Sequence, residues 1–219
     1  MPATDLSNVV IVLDHPKDVV NIAGVIRVMN NFGLSTLRLV NPDEFNPYRI
    51  EGIAHRSGDL IEASTRHDSL EDALADVSFV LGTTARPRTA GRKYLWPREA
   101  AASIAERAQK GTVAILLGRE DRGLTNEGLD LCHAVSIIPT DSDFSSLNLA
   151  QACLVLAYEV FLALDGSDPA LPQGRRATRP PTQAELEQAF GALERGLSRI
   201  EFYKAREPAA VMRTLRTII

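Results

Sequence analysis

Val113-Ala-Ile-Leu-Leu-Gly-Arg-Glu-Asp-Arg-Gly123 sets five consecutive apolar residues against a polar turn that opens and closes on glycine. Unbroken apolarity over so short a run is the pattern of a strand buried on both faces, as in a parallel sheet covered by helices. Two similar runs precede it in the chain. Asn8-Val-Val-Ile-Val-Leu13 stops at Asp14-His-Pro16, and Val77 to Thr83 stops at a Thr-Thr-Ala-Arg segment. Leu37-Arg-Leu-Val40 and Ala134 to Ile138 are further strands, ended by Asn41-Pro42 and Pro139.

Helical spacing lies between these strands. Ile22, Val25, Ile26, Met29 and Phe32 recur on one face, with Asn21 as the expected N-cap and Gly33 as the stop. A short helix is expected around Ser69 to Ala75, and one begins at Pro97 and runs to about Gln109. Asn126 to Leu131 is short, whereas Leu147 to Leu164 is long and strongly apolar. The alternation predicts an α/β protein with a mostly parallel sheet and helices on both faces. Residues 1–165 form this domain. Residues 166–181, rich in proline, glycine and arginine, read as a linker. Residues 182–219 read as a helical extension, with Thr182 capping one helix and Pro208 opening another.

Composition excludes several classes. With 219 residues, 45% apolar and 24% charged, the chain is a folded globular protein rather than a disordered one. It has no apolar run long enough to span a bilayer, and its first residues carry no basic or apolar leader pattern. Two cysteines, Cys132 and Cys153, cannot make a disulfide framework or a zinc site, so the expected setting is a reducing cytoplasm. The four histidines (His15, His55, His67 and His133) show no metal spacing, and no metal is expected. Net charge is −4 but uneven. From Leu171 onward nine Lys/Arg stand against five Asp/Glu, and Arg86, Arg88, Arg92 and Lys93 cluster without an acid. Such local patches suit a particular phosphate backbone rather than indiscriminate coating of nucleic acid.

Ligands of parallel sheets bind beyond the carboxyl ends of strands. Three such ends carry small or polar residues here: Gly82-Thr-Thr-Ala-Arg86, Gly118-Arg-Glu-Asp-Arg-Gly123, and Ile138-Pro-Thr-Asp-Ser-Asp-Phe-Ser-Ser-Leu-Asn148. Neither Gly-x-Gly-x-x-Gly nor a P-loop is present, which removes dinucleotide and NTPase readings, and no Gly-x-Ser-x-Gly elbow supports a hydrolase.

Three blocks, Asn21-Ile-Ala-Gly-Val-Ile-Arg27, Leu117-Gly-Arg-Glu-Asp-Arg-Gly-Leu124, and Ile138-Pro through Ser145-Ser-Leu-Asn-Leu-Ala150 to Tyr158-Glu159, give the chain a recognisable cast. It resembles the SpoU (TrmH) branch of the SPOUT methyltransferases, and within that branch the TrmJ-type tRNA ribose methyltransferases. Leu37-Arg-Leu-Val-Asn-Pro42 and Gly82-Thr-Thr-Ala-Arg86 support the narrower likeness. The resemblance implies a parallel sheet with a C-terminal trefoil knot and a homodimer with the active site at the subunit interface. It implies S-adenosylmethionine as methyl donor and an RNA ribose 2′-hydroxyl as acceptor. tRNA is favoured over rRNA, with the anticodon-loop pyrimidine at position 32 as the suggested target. A non-catalytic RNA-binding protein of the same fold is the alternative of another class.

By the same resemblance, Thr83, Thr84, Ala85, Gly118, Ile138, Ser145, Ser146 and Leu147 would build the donor pocket. Arg27 matches the arginine that activates the hydroxyl. Because guanidinium stays protonated, holding the adjacent phosphate suits it better than acting as a free base. Asn21 would orient substrate or Arg27, or serve only as a helix cap. Glu120, Ser146 and Asn148 would position the nucleotide and the pocket loops, and Asn148 could equally cap the following helix. Arg86, Arg88 and Arg119 are candidates for phosphate contact. The chain departs from the family pattern at Ala23-Gly24, where the glycine stands one residue late.

Overall fold

The computed structural model describes residues 6–86, 91–165, 179–204 and 207–217. Seven strands build one sheet: β1 (Val9–Asp14), β2 (Thr36–Val40), β3 (Thr65–His67), β4 (Phe79–Thr83), β5 (Tyr94–Leu95), β6 (Val113–Leu117) and β7 (Ala134–Ser136). Their spatial order is β3-β2-β1-β6-β4-β7-β5, and every pairing is parallel. The two most apolar strands are neighbours at its centre, with Val9 opposite Val113 and Leu13 opposite Leu117. All residues of both are buried, which is why neither alternates in polarity.

The helices between them are α1 (Val19–Phe32), α2 (Pro47–Ala54), α3 (Gly58–Ala63), α4 (Leu70–Ala73), α5 (Pro97–Ala108), α6 (Asn126–Asp130) and α7 (Leu149–Asp165). Alternate strand residues enter two cores. Ile11, Leu13, Ile115 and Leu117 pack with Ile22, Ile26, Ile104, Leu156 and Val160 on the face of α1, α5 and α7. Val10, Val12, Ala114 and Leu116 meet Ala73, Leu124 and Leu129 on the opposite face. Helices therefore cover both faces, as expected. The chain divides into two compact units, residues 1–169 and 170–219. The second contains α8 (Gln183–Arg199) and α9 (Pro208–Arg216). Within it Arg216 pairs with Glu187 at 2.5 Å and lies over the Phe190 ring, while Thr182 and Glu185 form a capping box at the start of α8.

The structure corrects one cap. Asn21 does not begin α1. Asp18 does, its carboxylate accepting from Val20 N at 2.9 Å, so the helix starts one turn earlier and Asn21 lies within it. The long apolar helix begins at Leu149 rather than Leu147, because Asn148 caps it through Ala150 N at 2.9 Å. Periodicity gives no sign of α2, α3, β3 or β5. Gly24 is where α1 and α7 cross. A β-carbon there would lie 2.8 Å from the Ala150 β-carbon, so glycine permits the close approach. Among the described residues no helix is long and apolar enough to cross a membrane, and no three His, Cys, Asp or Glu side chains gather as a metal site.

Candidate active site

The carboxyl ends of β4, β6 and β7 and the start of α7 enclose a cleft of about 310 Å³. β4 delivers Thr83, Thr84 and Ala85 to its wall, β6 delivers Gly118, and the segment after β7 delivers Ile138, Ser145, Ser146 and Leu147. All eight residues expected to form the donor pocket thus share one cavity. Apolar walls come from Leu117, Ile138, Leu147, Leu149 and Ala152. Hydrogen bonds to backbone carbonyls of the neighbouring strands fix the end of β4. Thr84 N donates to Ser136 O at 3.1 Å, and Thr83 Oγ1 donates to Leu116 O at 3.3 Å.

The turn after β6 is unusually tight. Gly123 has φ 68° and donates to Arg119 O at 2.7 Å. A β-carbon on Gly118 would lie 2.2 Å from both Gly123 C and Leu124 N, so the chain passes itself here with room only for hydrogen. Arg119 and Asp121 pair at 2.9 Å, and Lys17 reaches Asp121 at 3.3 Å. Desolvation works to raise the Asp121 carboxyl, but hydrogen bonds from Lys17 and Arg119 outweigh it and hold it below the usual carboxylate range.

Glu120 binds differently. Its carboxylate accepts from Lys17 N at 3.0 Å, Asp18 N at 3.3 Å and Asn21 Nδ2 at 3.0 Å, clasping the free N–H groups at the start of α1. Asn21 Oδ1 in turn accepts from Asn148 Nδ2 at 2.7 Å. The network joins residues 99 and 127 positions apart, and it ties the three sequence blocks together. Asn148 therefore caps α7 and engages Asn21 at once.

Not every expected residue belongs to the cleft. Arg27 is exposed on α1, does not line the cavity, and has no hydrogen-bond or ion-pair partner among the described residues. Arg86 and Arg119 line the cleft, whereas Arg88 lies outside the described residues. Arg92, part of the basic cluster, is committed elsewhere: it pairs with Asp130 and donates to Leu129 O. Ser136 was not a sequence candidate. It lines the cleft, is 1% exposed, and its hydroxyl has no partner among the described residues. A lone hydroxyl at the carboxyl end of an otherwise apolar strand was its available signal.

Comparison with known proteins adds an independent line. The model of the SpoU rRNA Methylase family matches residues 8–158. The tRNA (cytidine/uridine-2'-O-)-methyltransferase TrmJ of Sodalis glossinidius is 38% identical over 97% of this chain and 84% of its own length. The tRNA (cytidine/uridine/adenosine-2'-O-)-methyltransferase TrmJ of Pseudomonas aeruginosa is 40% identical over 97% of this chain and 86% of its own. The crystal structure of TrmJ from Z. mobilis superposes with a TM-score of 0.78 at 32% identity, covering 95% of this chain and 88% of that one. Since the family match spans the whole sheet up to β7 and most of α7, the chain belongs to the SpoU methylase family.

Proposed function

We propose that this chain transfers a methyl group from S-adenosylmethionine to a ribose 2′-hydroxyl of tRNA. The observation that carries the reading is the single cleft at which loops from three strands converge, with the Glu120–Asn21–Asn148 network at its rim. The residues present suit the donor. Apolar walls can sandwich an adenine, loop amides and carbonyls can meet its edge, and the unpartnered Ser136 hydroxyl leaves a hydrogen-bonding position to fill. The acids beside the cleft are already engaged, Glu120 by three donors and Asp121 by three cations. When bound, the donor supplies an electrophilic methyl on a sulfonium.

The chain's own share is orientation and charge. Asn21 and Asn148 fix the start of α7 against α1, which positions Ser145, Ser146 and Leu147 over the cleft. Arg27 holds the phosphate beside the target ribose and favours the oxygen as it becomes alkoxide-like, its own proton staying in place. Arg27 is absent from its own chain's cleft, so the reading assigns it to the cleft of a second copy in a homodimer. Val20 on α1 and Leu154 and Tyr158 on α7 leave an exposed apolar face beside the Gly24–Ala150 crossing that suits such a partner. Arg86, Arg88 and Arg119 then serve the RNA backbone. The trefoil crossing and a helical extension from residue 182, joined through a 166–181 linker, complete the proposal, with the cytoplasm as the working compartment.

Transfer of tritiated methyl from labelled donor to bulk tRNA and to rRNA, followed by mapping of the labelled nucleotide, tests it. Label is expected in tRNA as an alkali-resistant dinucleotide, at anticodon-loop position 32. Arg27→Ala should cut incorporation about a hundredfold while leaving donor binding intact. Label confined to rRNA would replace the substrate, and label in neither would end the enzymatic reading.

A further inference from the structure

α2 begins after β2, at the carboxyl edge of the sheet where the cleft also opens. The loops after β1 and β2 are joined there by Asp43 N donating to Pro16 O at 3.0 Å. On this helix Tyr48 is 88% exposed, and it shares a shallow depression with Arg49, Glu51, Ile53, His55 and Arg56. The turn that closes the depression is strained. His55 and Arg56 are consecutive non-glycine residues with φ of 43° and 55°, a conformation that L residues adopt at a cost and that persists only where surroundings enforce it.

The enforcement is visible. Ser57 is 1% exposed, and its hydroxyl faces the Ala54 and His55 carbonyls at 3.3 Å. The Glu51 carboxylate accepts from Ser57 N at 3.1 Å, and Asn30 Nδ2 donates to Ser57 Oγ at 2.7 Å. That last bond anchors the turn to α1 at a position three residues, one helical turn, beyond Arg27. The strained turn is therefore rigid and sits on the flank of Arg27.

What it presents is an exposed cation and an aromatic ring, while Glu51, the carboxylate lining the depression, is turned to the Ser57 amide. Arg56 is exposed and has no ion-pair partner among the described residues. Glu51 is occupied by the Ser57 amide, and Glu44 is neutralised by Arg49 at 2.6 Å. With Ile53 only 37% exposed, the patch is too polar for apolar protein docking. Exposed aromatics among cations suit unpaired nucleotides, which offer ring faces and phosphates together.

We propose that Tyr48 and the His55–Arg56 turn form a second RNA-contact surface, with Tyr48 stacking on an unpaired base and Arg56 gripping a backbone phosphate on the flank of Arg27. This rests on the reading that the substrate is an RNA.

The test compares the full-length chain with Tyr48→Ala, Arg56→Ala and Arg56→Lys. Filter binding to bulk tRNA at several salt concentrations gives Kd and salt slope, and calorimetry with S-adenosylhomocysteine reports the cleft. Each alanine variant should raise Kd for tRNA about tenfold. Arg56→Ala should also lower the salt slope by about one, and Arg56→Lys should restore most of it. Melting temperature and cleft binding should match wild type, which separates RNA contact from a structural role. Wild-type affinity and slope in both alanine variants, beside a wild type that binds tRNA, would overturn this surface alone. A wild type that binds no tRNA would overturn the functional reading and this inference with it.

Discussion

Removing the Asn21 side chain should uncouple α1 from the start of α7 at the rim of the cleft. Asn21→Ala deletes a donor to the Glu120 carboxylate and an acceptor from Asn148, at 3.0 and 2.7 Å. A hydrogen bond to a charged group contributes about 1.5–3 kcal/mol and a neutral one about 0.5–1.5. Asn21 is half-buried, so water replaces part of both, and a net loss of about 2 kcal/mol is expected. For a unit of this size that lowers Tm by about 4–8 °C. Asn148→Ala removes the same inter-helix bond together with the α7 cap, which alone contributes about 1 kcal/mol. Because the two variants share one bond, the double variant should cost less than their sum by at least about 0.5 kcal/mol. Denaturant unfolding of all four proteins measures this coupling. Methyl transfer should fall in both single variants alike, because each releases the start of α7. Strict additivity of the two stability losses would refute the network as a unit.

Other outcomes follow from the same geometry. Gly118→Ala places a β-carbon against the backbone of Gly123 and Leu124, and soluble expression should be lost or Tm should fall steeply. Burial pushes the thiols of Cys132 and Cys153 up to about 12, so neither should react with Ellman's reagent at pH 8 until the protein is unfolded. Arg179, with the Thr182 amide and hydroxyl, holds Glu185 down to about 2. A depressed carboxyl stabilises α8 fully above its unfolded value near 4.5, so helicity monitored at 222 nm should fall as pH drops from there toward 2. Mixed dimers of Arg27→Ala with a cleft variant such as Ser146→Arg should recover methyl transfer that neither parent shows, if Arg27 serves its partner's cleft.

The sheet was legible where burial is symmetrical. β1 and β6 announce themselves because both faces of each are covered, so nothing polar interrupts them. β3 is an edge strand of Thr65, Arg66 and His67, and only one neighbour and one polar face act on it, so no apolar run marks it. α2 and α3 stay hidden because Gly52, Gly58 and the left-handed His55–Arg56 turn break any helical period. Asn21 looks like a cap from sequence because its residue type suits one. Asp18 wins that position since Pro16 and Lys17 bring the chain in from β1, and Asn21 is freed for a side-chain network. The cleft loops could be found by looking just past strand ends, whereas Ser136 lies inside a strand and escapes that rule. The Glu120–Asn21–Asn148 bonds span about a hundred residues each, and no local pattern encodes a contact at that range.

The pairing of β1 with β6 has a consequence for synthesis. β1 finds β2 soon after both leave the ribosome, but its other neighbour ends only at Leu117. At about 5–20 residues per second, the sheet's most water-averse edge waits roughly 5–20 s for its partner. During that interval an open ladder of Val, Ile and Leu offers itself to any passing strand. The nascent chain should therefore be most vulnerable to aggregation, and most dependent on ribosome-bound chaperones, before residue 117 has emerged.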